Sequence, residues 1–191
     1  GEYSLPIASL EVRSEVRQQH NIFFFMVLRF ISLFGISYHG LLFLFFIIAA
    51  SNGGNGLPLN VETTSTISGR TNVNIWKDTG SNDQKWSINS LGTSQQVRTL
   101  NNTAYMLNAY RTNWNCDVYT SNSDTYVNFV SQGNNVYLIQ LNSDKTKYLT
   151  ATGTASGSNV VWQARNTSSA AQKWKISKLS DLNISNLKIF Q

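Results

Sequence analysis

The chain has few of the residues on which disulfide-linked proteins and most metalloenzymes depend. Cys116 is the single cysteine among 191 residues, so no intrachain disulfide can form and no thiolate cluster can hold a metal. The two histidines, His20 and His39, both precede residue 45. From residue 45 onward there is no imidazole to act as a base or to bind a metal, and we expect no cofactor.

Charge is also scarce. Charged residues make up 13% of the chain, against about a quarter in an average globular protein. The formal net charge is +5, but Lys and Arg form no run that could follow a phosphate backbone, so nucleic acid is not an expected partner. Asn, Ser, Thr, Gly and aromatic residues take the place of the charges, a mixture typical of short strands joined by turns.

Catalytic motifs are missing as well. The sequence contains no glycine-rich phosphate loop, no nucleophilic serine motif and no metal-ligand spacing. A glycosidase needs two carboxylates that flank the scissile bond. The acidic residues of 45–179 are Glu62, Asp78, Asp83, Asp117, Asp124 and Asp144. Most of them are expected in turns and far from one another, so the sequence predicts that the protein is not an enzyme.

The aromatic residues divide the chain into two parts. Eight of the ten Phe residues lie within residues 22–50, whereas all five Trp residues lie beyond residue 75. The apolar run 22–50 exceeds the roughly 20 residues that cross a bilayer core, and its one formal charge, Arg29, lies near its N-terminal end. Residues 22–45 are therefore predicted to be a helical segment able to contact a membrane.

Three interpretations of residues 1–44 stay open. No basic residue lies between Arg29 and Arg70, so an uncleaved signal anchor would place the remainder of the chain outside the cytoplasm. A signal peptide that begins at Met26 and is cleaved near Ala50 would also export it. The third interpretation is that residues 1–44 are not a natural mature segment. The first two predict an extracellular domain, either secreted or membrane-anchored and facing outside.

Three segments of the chain resemble one another. They are NVNIWKDTGSNDQKW at 72–86, NCDVYTSNSDTYVNF at 115–129 and NVVWQARNTSSAAQKW at 159–174, and their final aromatic residues are separated by 43 and then 45 residues. Each is preceded by a strand signal that contains Leu59, Leu107 or Leu149, and by another apolar stretch before that. The pattern predicts three repeats of about four strands each.

One such repeat cannot bury its own apolar face. Three copies around a pseudo-threefold axis close the structure, so that few edge strands remain exposed. Propellers have repeats of similar length but usually need at least four. The sequence therefore predicts an all-β fold of about twelve strands that closes into a barrel.

The tripeptide QKW, at 84–86 and again at 172–174, resembles the Gln-x-Trp signature of the ricin-type β-trefoil lectin family, particularly its bacterial carbohydrate-binding branch. The resemblance covers residues 45–179 and implies a β-trefoil lectin domain there, preceded by the segment 1–44 and followed by a C-terminal tail, 180–191. It further implies that Trp86, Phe129 and Trp174 point into the barrel and do not contact ligand.

The resemblance also implies where sugar would bind. Sites in this family combine a polar residue after the first Leu, an aromatic platform at the end of the next strand, and polar groups near the Gln. This combination suits a sugar, whose apolar face stacks on a ring while its hydroxyls need paired donors and acceptors. In the first repeat the positions are Asn60, Asn74, Trp76, Asp83 and Gln84. Asn60 stands where galactose-binding members usually have Asp, which leaves the sugar open.

The other two repeats match the family pattern less well. In the second repeat the equivalents are Asn108, Asp117 and Tyr119, but Val127 and Phe129 replace the Gln and the Trp, which predicts a less organised pocket. Tyr110 and Trp114 nearby fit either the core or the rim of a site. In the third repeat Thr150 and Gln163 replace the polar residue and the platform, and Trp162 falls on the inward side of its strand. We expect that repeat to bind poorly.

The expected function is therefore that of a non-catalytic carbohydrate-binding module, an accessory or targeting domain of a glycan-acting or cell-surface protein. The expected partners are galactose-like sugars or other sugars of cell-wall and plant polysaccharides. Two alternatives remain. One is a degenerate trefoil that serves as a protein-interaction module, and the other is a membrane-anchored subunit that depends on the segment 22–45.

Overall fold

A computed structural model describes residues 45–50, 56–121 and 123–179. Within these ranges the chain forms thirteen strand segments and two short 3-10 turns, at Asn82–Gln84 and Ala170–Gln172. The strands are β1 (Phe45–Ala50), β2 (Leu59–Val61), β3 (Thr71–Ile75), β4 (Trp86–Ser87), β5 (Gln95–Gln96), β6 (Arg98–Thr99), β7 (Met106–Tyr110), β8 (Asn115–Tyr119), β9 (Tyr126–Ser131), β10 (Val136–Leu141), β11 (Lys147–Ala151), β12 (Val160–Ala164) and β13 (Trp174–Lys178).

The strands divide into three groups of four that follow the sequence repeats. β5 and β6 act as one strand that is interrupted only at Val97, so the described residues contain twelve strands in effect. The predicted all-β fold is therefore confirmed. The predicted helical segment 1–44 and tail 180–191 lie outside the described residues. Within the described part of the chain, no helix is long and apolar enough to span a bilayer.

Six strands close into a barrel, and each repeat contributes its first and last strand. Around the barrel, β1 pairs with β4, β4 with β6, β5 with β9, β9 with β10, β10 with β13, and β13 with β1, all of them antiparallel. The ring closes because the first described strand pairs with the last. Closure leaves no barrel edge exposed to another chain.

The last residues of the long apolar run, 45–50, form strand β1. Its residue Ile48 is fully buried and lies opposite Ile176 of β13. Ile48 therefore belongs to the hydrophobic core. A signal peptide cleaved near Ala50, as the sequence allowed, would remove this strand and open the barrel. The signal peptide and its cleavage site stay a prediction.

The other six strands form three hairpins over one end of the barrel: β2–β3, β7–β8 and β11–β12. The hairpins also pair with one another. β3 pairs with β8, β8 with β12, and a single bridge joins Asn74 to Asn159 just before β12. The three hairpins thus meet around the pseudo-threefold axis.

Three equivalent asparagines join the hairpins at this axis. The Nδ2 of Asn115 donates to Oδ1 of Asn72 at 2.8 Å, the Nδ2 of Asn72 to Oδ1 of Asn159 at 3.0 Å, and the Nδ2 of Asn159 to Oδ1 of Asn115 at 2.8 Å. Each of them is the first residue of one of the three similar segments, 72–86, 115–129 and 159–174. We call Asn72, Asn115 and Asn159 the asparagine ring.

The barrel core contains large aromatic side chains, as the sequence predicts. Trp86 and Trp174 are fully buried, and Trp162 and Phe129 are nearly so. Trp86 Nε1 donates to the Leu59 carbonyl at 3.1 Å, and Trp174 Nε1 donates to the Leu149 carbonyl at 2.9 Å. These bonds satisfy the buried indole N–H groups, which makes the burial of both rings favourable.

Candidate functional site

An open cleft lies beside the first hairpin, β2–β3. We call it the first-repeat cleft, and its volume is about 590 Å³. The residues that line it are Asn60, Glu62, Thr63, Thr64, Asn74, Trp76, Thr79, Ser81 and Asp83. Four of the five residues predicted for the first repeat are among them.

Asn60 and Asn74 form the polar floor of the cleft. They are opposite each other across the β2–β3 hairpin, and Asn60 Nδ2 donates to Asn74 Oδ1 at 2.8 Å. Asn60 also donates to the Val61 carbonyl at 3.1 Å. Both side chains are almost entirely buried, so their positions are fixed by the strand register. Such fixed amides can pair with hydroxyl groups without losing much side-chain entropy.

Trp76 forms one wall of the cleft. It follows the buried Ile75 at the end of β3, and 38% of its surface is exposed. Its amide N–H donates to the Pro58 carbonyl at 3.1 Å, which ties the start of this loop to the hairpin. The indole lies against the backbone of Gly157, where an added Cβ would come within 3.0 Å of Cζ3. The ring is therefore a backed aromatic surface that faces solvent.

Asp83 lies at the far side of the cleft, in the 3-10 turn Asn82–Gln84. Its Oδ1 accepts a hydrogen bond from Asn101 Nδ2, and its Oδ2 accepts one from the Ser81 hydroxyl at 3.4 Å. These bonds hold the carboxylate at the cleft. A carboxylate can accept further hydrogen bonds from ligand hydroxyls.

Gln84 lies behind the cleft and does not line it. It is buried; its Nε2 donates to the Lys77 carbonyl at 2.8 Å, and its Oε1 accepts from the Thr79 amide at 2.8 Å. The amide thus braces the loop that carries Trp76. Gln172 makes the equivalent bonds in the third repeat, to the Ala164 carbonyl and from the Asn166 amide.

Sequence reasoning missed five cleft residues: Glu62, Thr63, Thr64, Thr79 and Ser81. Glu62 was named only among the acidic residues, and it lines the same cleft as Asp83 of the same repeat. Its Oε2 accepts a hydrogen bond from Asn72 of the asparagine ring at 2.7 Å. The sequence offered no clear signal for these residues, because the loop after β2 and the loop after β3 leave opposite ends of the hairpin.

The predicted residues of the second repeat also come together, and we call Asn108, Asp117 and Tyr119 the second-repeat pocket. Asn108 and Asp117 are opposite each other in the β7–β8 hairpin, and Asn108 Nδ2 donates to Asp117 Oδ1 at 2.6 Å. The pair repeats the Asn60–Asn74 arrangement, and Tyr119 takes the position of Trp76.

A side chain from the first repeat enters this pocket. Arg70 Nη1 lies 2.5 Å from Asp117 Oδ2, and the guanidinium carbon lies 4.0 Å from the ring centre of Tyr119 and 4.6 Å from that of Tyr110. Partial burial lowers the pKa of Arg70, but its hydrogen bond and attraction to Asp117 outweigh that effect and raise the pKa above its ordinary value. Arg70 is therefore a charged, stacked neighbour of both tyrosines.

The third repeat brings no comparable group together. Thr150 is opposite Val161, which offers no polar atom, and Gln163 takes the platform position. The Thr150 hydroxyl donates to the Tyr148 carbonyl and accepts from Gln172 Nε2. Trp162 is buried, as predicted, and its Nε1 donates to the Asn108 carbonyl at 3.2 Å.

The chemistry of the first-repeat cleft is that of hydrogen bonding beside an aromatic face. Its lining combines two amides, two carboxylates, four hydroxyl groups and one indole. Among the described residues, no group of three or more His, Cys, Asp or Glu side chains is placed to hold a metal ion. The arrangement is suited to a small polar ligand that has an apolar face.

Comparison with solved structures identifies the fold. A designed protein with threefold symmetry, ThreeFoil, matches with a TM-score of 0.61 and 21% identity over 71% of this chain and 99% of its own. The C-terminal half of an earthworm R-type lectin, in complex with GalNAc, matches with a TM-score of 0.54 and 18% identity over 71% of this chain and 98% of its own.

An exo-β-1,3-galactanase from Clostridium thermocellum matches with a TM-score of 0.61 and 19% identity over 71% of this chain and 30% of its own. No family model and no curated protein matches the sequence. At these identities the likeness concerns the fold, which is the β-trefoil also found in R-type lectins.

Proposed function

We propose that residues 45–179 form a non-catalytic carbohydrate-binding domain whose working site is the first-repeat cleft. The observation that carries the proposal is the exposed, backed indole of Trp76 beside the fixed amides of Asn60 and Asn74. A pyranose would stack its apolar face on the indole and direct its hydroxyls toward those amides and Asp83.

We further propose that the ligand is galactose-like, in the form of galactose, N-acetylgalactosamine or a polysaccharide that displays them. Two fold relatives support this class, a lectin solved with GalNAc and a galactanase. A single shallow cleft buries little ligand surface, so we expect a Kd of about 0.1–1 mM for a monosaccharide. Attachment to an enzyme or a surface would raise the effective affinity.

The acidic residues of the cleft are proposed to bind and not to catalyse. Glu62 accepts from Asn72, and Asp83 accepts from Asn101, so each carboxylate already has a neutral amide donor. We propose an accessory or targeting role outside the cell, as a secreted or membrane-anchored domain of a protein that acts on or adheres to glycans.

The test is a calorimetric titration of the chain with N-acetylgalactosamine and galactose, repeated for Trp76→Ala. We expect the substitution to weaken binding by about five- to thirtyfold, because loss of one stacking platform costs about 1–2 kcal/mol. Val130→Ala is the matched control, since Val130 is exposed to a similar extent and lies outside the cleft.

Equal binding by the unaltered chain and Trp76→Ala would contradict the proposed site. An array of glycans to which the unaltered chain does not bind would contradict the proposed function. That result would favour the alternative, a trefoil that acts as a protein-interaction module or as a membrane-anchored subunit.

A further inference from the structure

The pairing of the hairpins brings a residue of the first repeat to the platform of the second, and a residue of the third repeat to the platform of the first. Asn72 lies opposite Asp117, and Asn159 lies opposite Asn74. Two residues before Asn72 and Asn159 stand Arg70 and Gly157, which contact Tyr119 and Trp76, respectively. Arg70 and Gly157 therefore occupy equivalent positions, each two residues before a member of the asparagine ring.

Each of these two residues contacts the aromatic residue of the neighbouring hairpin, although the ladder is offset by one residue at Gly157, where the Ile75 amide donates to the Ser158 carbonyl at 2.9 Å. Gly157 lies directly beside the Trp76 indole, and its amide donates to the Ile75 carbonyl at 2.7 Å. Gly157 has no side chain that could extend across the indole as the Arg70 guanidinium extends across Tyr119. Arg70 instead extends a guanidinium over Tyr119 and makes an ion pair with Asp117.

The Arg70 guanidinium makes the contacts that a bound sugar would make with Asp117 and with the tyrosine rings. It is planar and stacks on aromatic rings, and its N–H groups match a carboxylate. In the second-repeat pocket it stacks between Tyr110 and Tyr119, while Asp117 accepts its hydrogen bond. Asp117 is almost fully buried and accepts a hydrogen bond from Asn108, so the pocket has a counterpart of the Asn60–Asn74 pair of the first-repeat cleft.

We propose that Arg70 is an internal ligand of the second-repeat pocket, and that this pocket becomes a second sugar site when the Arg70 side chain is removed or displaced. The residue two positions before each ring asparagine thereby determines how many repeats bind. The sugar class in this inference rests on the proposed function, whereas the occupation of the pocket by a guanidinium does not.

The first test uses the full chain in which the first site is disabled. Trp76→Ala should bind N-acetylgalactosamine or galactose about five- to thirtyfold more weakly than the unaltered chain. Adding Arg70→Gly should restore binding, with a Kd within about twofold of that of the unaltered chain. A gain of binding cannot result from misfolding. Arg111→Gly, added to Trp76→Ala, is the matched control, because it removes another ion-paired arginine, partnered by Asp124.

The second test does not depend on sugar. Methylguanidinium at about 10 mM should raise the melting temperature of Arg70→Gly by about 1–2 °C through binding in the vacated pocket. It should not raise that of the unaltered chain or of Arg70→Gly/Asp117→Asn. Methylammonium chloride at the same concentration controls for ionic strength.

The outcomes separate the two proposals. If the unaltered chain binds sugar and Arg70→Gly fails to restore binding to the folded Trp76→Ala chain, the inference of a second sugar site is wrong and the proposed function stands. If the unaltered chain binds no sugar, the proposed function is wrong. Methylguanidinium that stabilises Arg70→Gly no more than the unaltered chain would refute the occupation of the pocket by Arg70.

Discussion

The environment of Trp76 depends on a residue that has no side chain. Gly157 has a φ of +92°, a conformation that L-residues rarely adopt, and an added Cβ would lie 3.0 Å from Cζ3 of Trp76. Two constraints therefore favour glycine here: the backbone conformation and the contact with the indole. The first concerns stability alone, whereas the second concerns the binding surface.

We expect Gly157→Ala to lower both stability and sugar affinity. The positive φ should cost about 1–2 kcal/mol in the free energy of unfolding, measured by urea denaturation. The new methyl group should also displace the indole, which changes tryptophan fluorescence and weakens binding of N-acetylgalactosamine in a calorimetric titration.

Gly133→Ala is the matched control for this prediction. Gly133 has a φ of +82°, and nothing lies within 4 Å of its added Cβ. Its substitution should cost a similar free energy of unfolding but leave sugar affinity unchanged. Equal loss of affinity in both variants would mean that Gly157 supports the site only through global stability.

The predicted residues of the first-repeat cleft came from one hairpin and the turn after it. Asn60 and Asn74 are cross-strand neighbours, so the period of the strands already brings them together. Arg70 could not be predicted, because it lies 47 residues from its partner Asp117. Gly157 is similarly remote from Trp76. Contacts of this kind depend on how the hairpins of different repeats pair, which no local pattern determines.

The three hairpins are held at the axis by side chains as well as by strand pairing. Each member of the asparagine ring donates one hydrogen bond to the next and accepts one from the previous member. All three are half-buried, so water can only partly replace the hydrogen bond that an amide loses with its partner. The ring therefore couples elements that come from all three repeats.

We expect Asn115→Ala to lower the free energy of unfolding by about 1–3 kcal/mol, because it removes two bonds of the ring. Asn72→Ala in the same background should cost less than it does alone, since the ring is already broken. Urea denaturation of the single and double variants measures this coupling. Asn89→Ala, at an exposed position, is the control and should change stability little. Strict additivity of the two ring substitutions would contradict a cooperative ring.

The sequence predicted the number of strands in each repeat, but it did not predict the short features between the strands. The leucine-bearing strands and the spacing of the final aromatic residues predicted four strands in each repeat. The interruption between β5 and β6 at Val97 and the 3-10 turn before each intact Gln-x-Trp tripeptide had no clear signal. Such short features arise from tertiary packing, which overrides the weak propensities of two or three residues.

The barrel as a whole depends on a strand that the sequence assigned to two roles. The apolar run 22–50 predicted a membrane or signal segment, and its end also predicted the first strand of the first repeat. The structure places 45–50 in the barrel, between β4 and β13. Because β1 joins the beginning of the trefoil to its end, its loss would expose the edges of both neighbours.

We expect Ile48→Ala to destabilise the entire domain and not only its first strand. Ile48 is fully buried, and Ile176 opposite it is 3% exposed, so truncation of either should lower the free energy of unfolding by about 2–5 kcal/mol. Tryptophan fluorescence reports on the core and far-UV circular dichroism on the sheet. In a cooperative barrel both signals should show the same lowered urea midpoint for Ile48→Ala and for Ile176→Ala.

Val130→Ala, at an exposed position of β9, should leave the midpoint almost unchanged. A midpoint for Ile48→Ala equal to that of Val130→Ala would mean that β1 contributes nothing to the barrel, and the trefoil would then have to close without it.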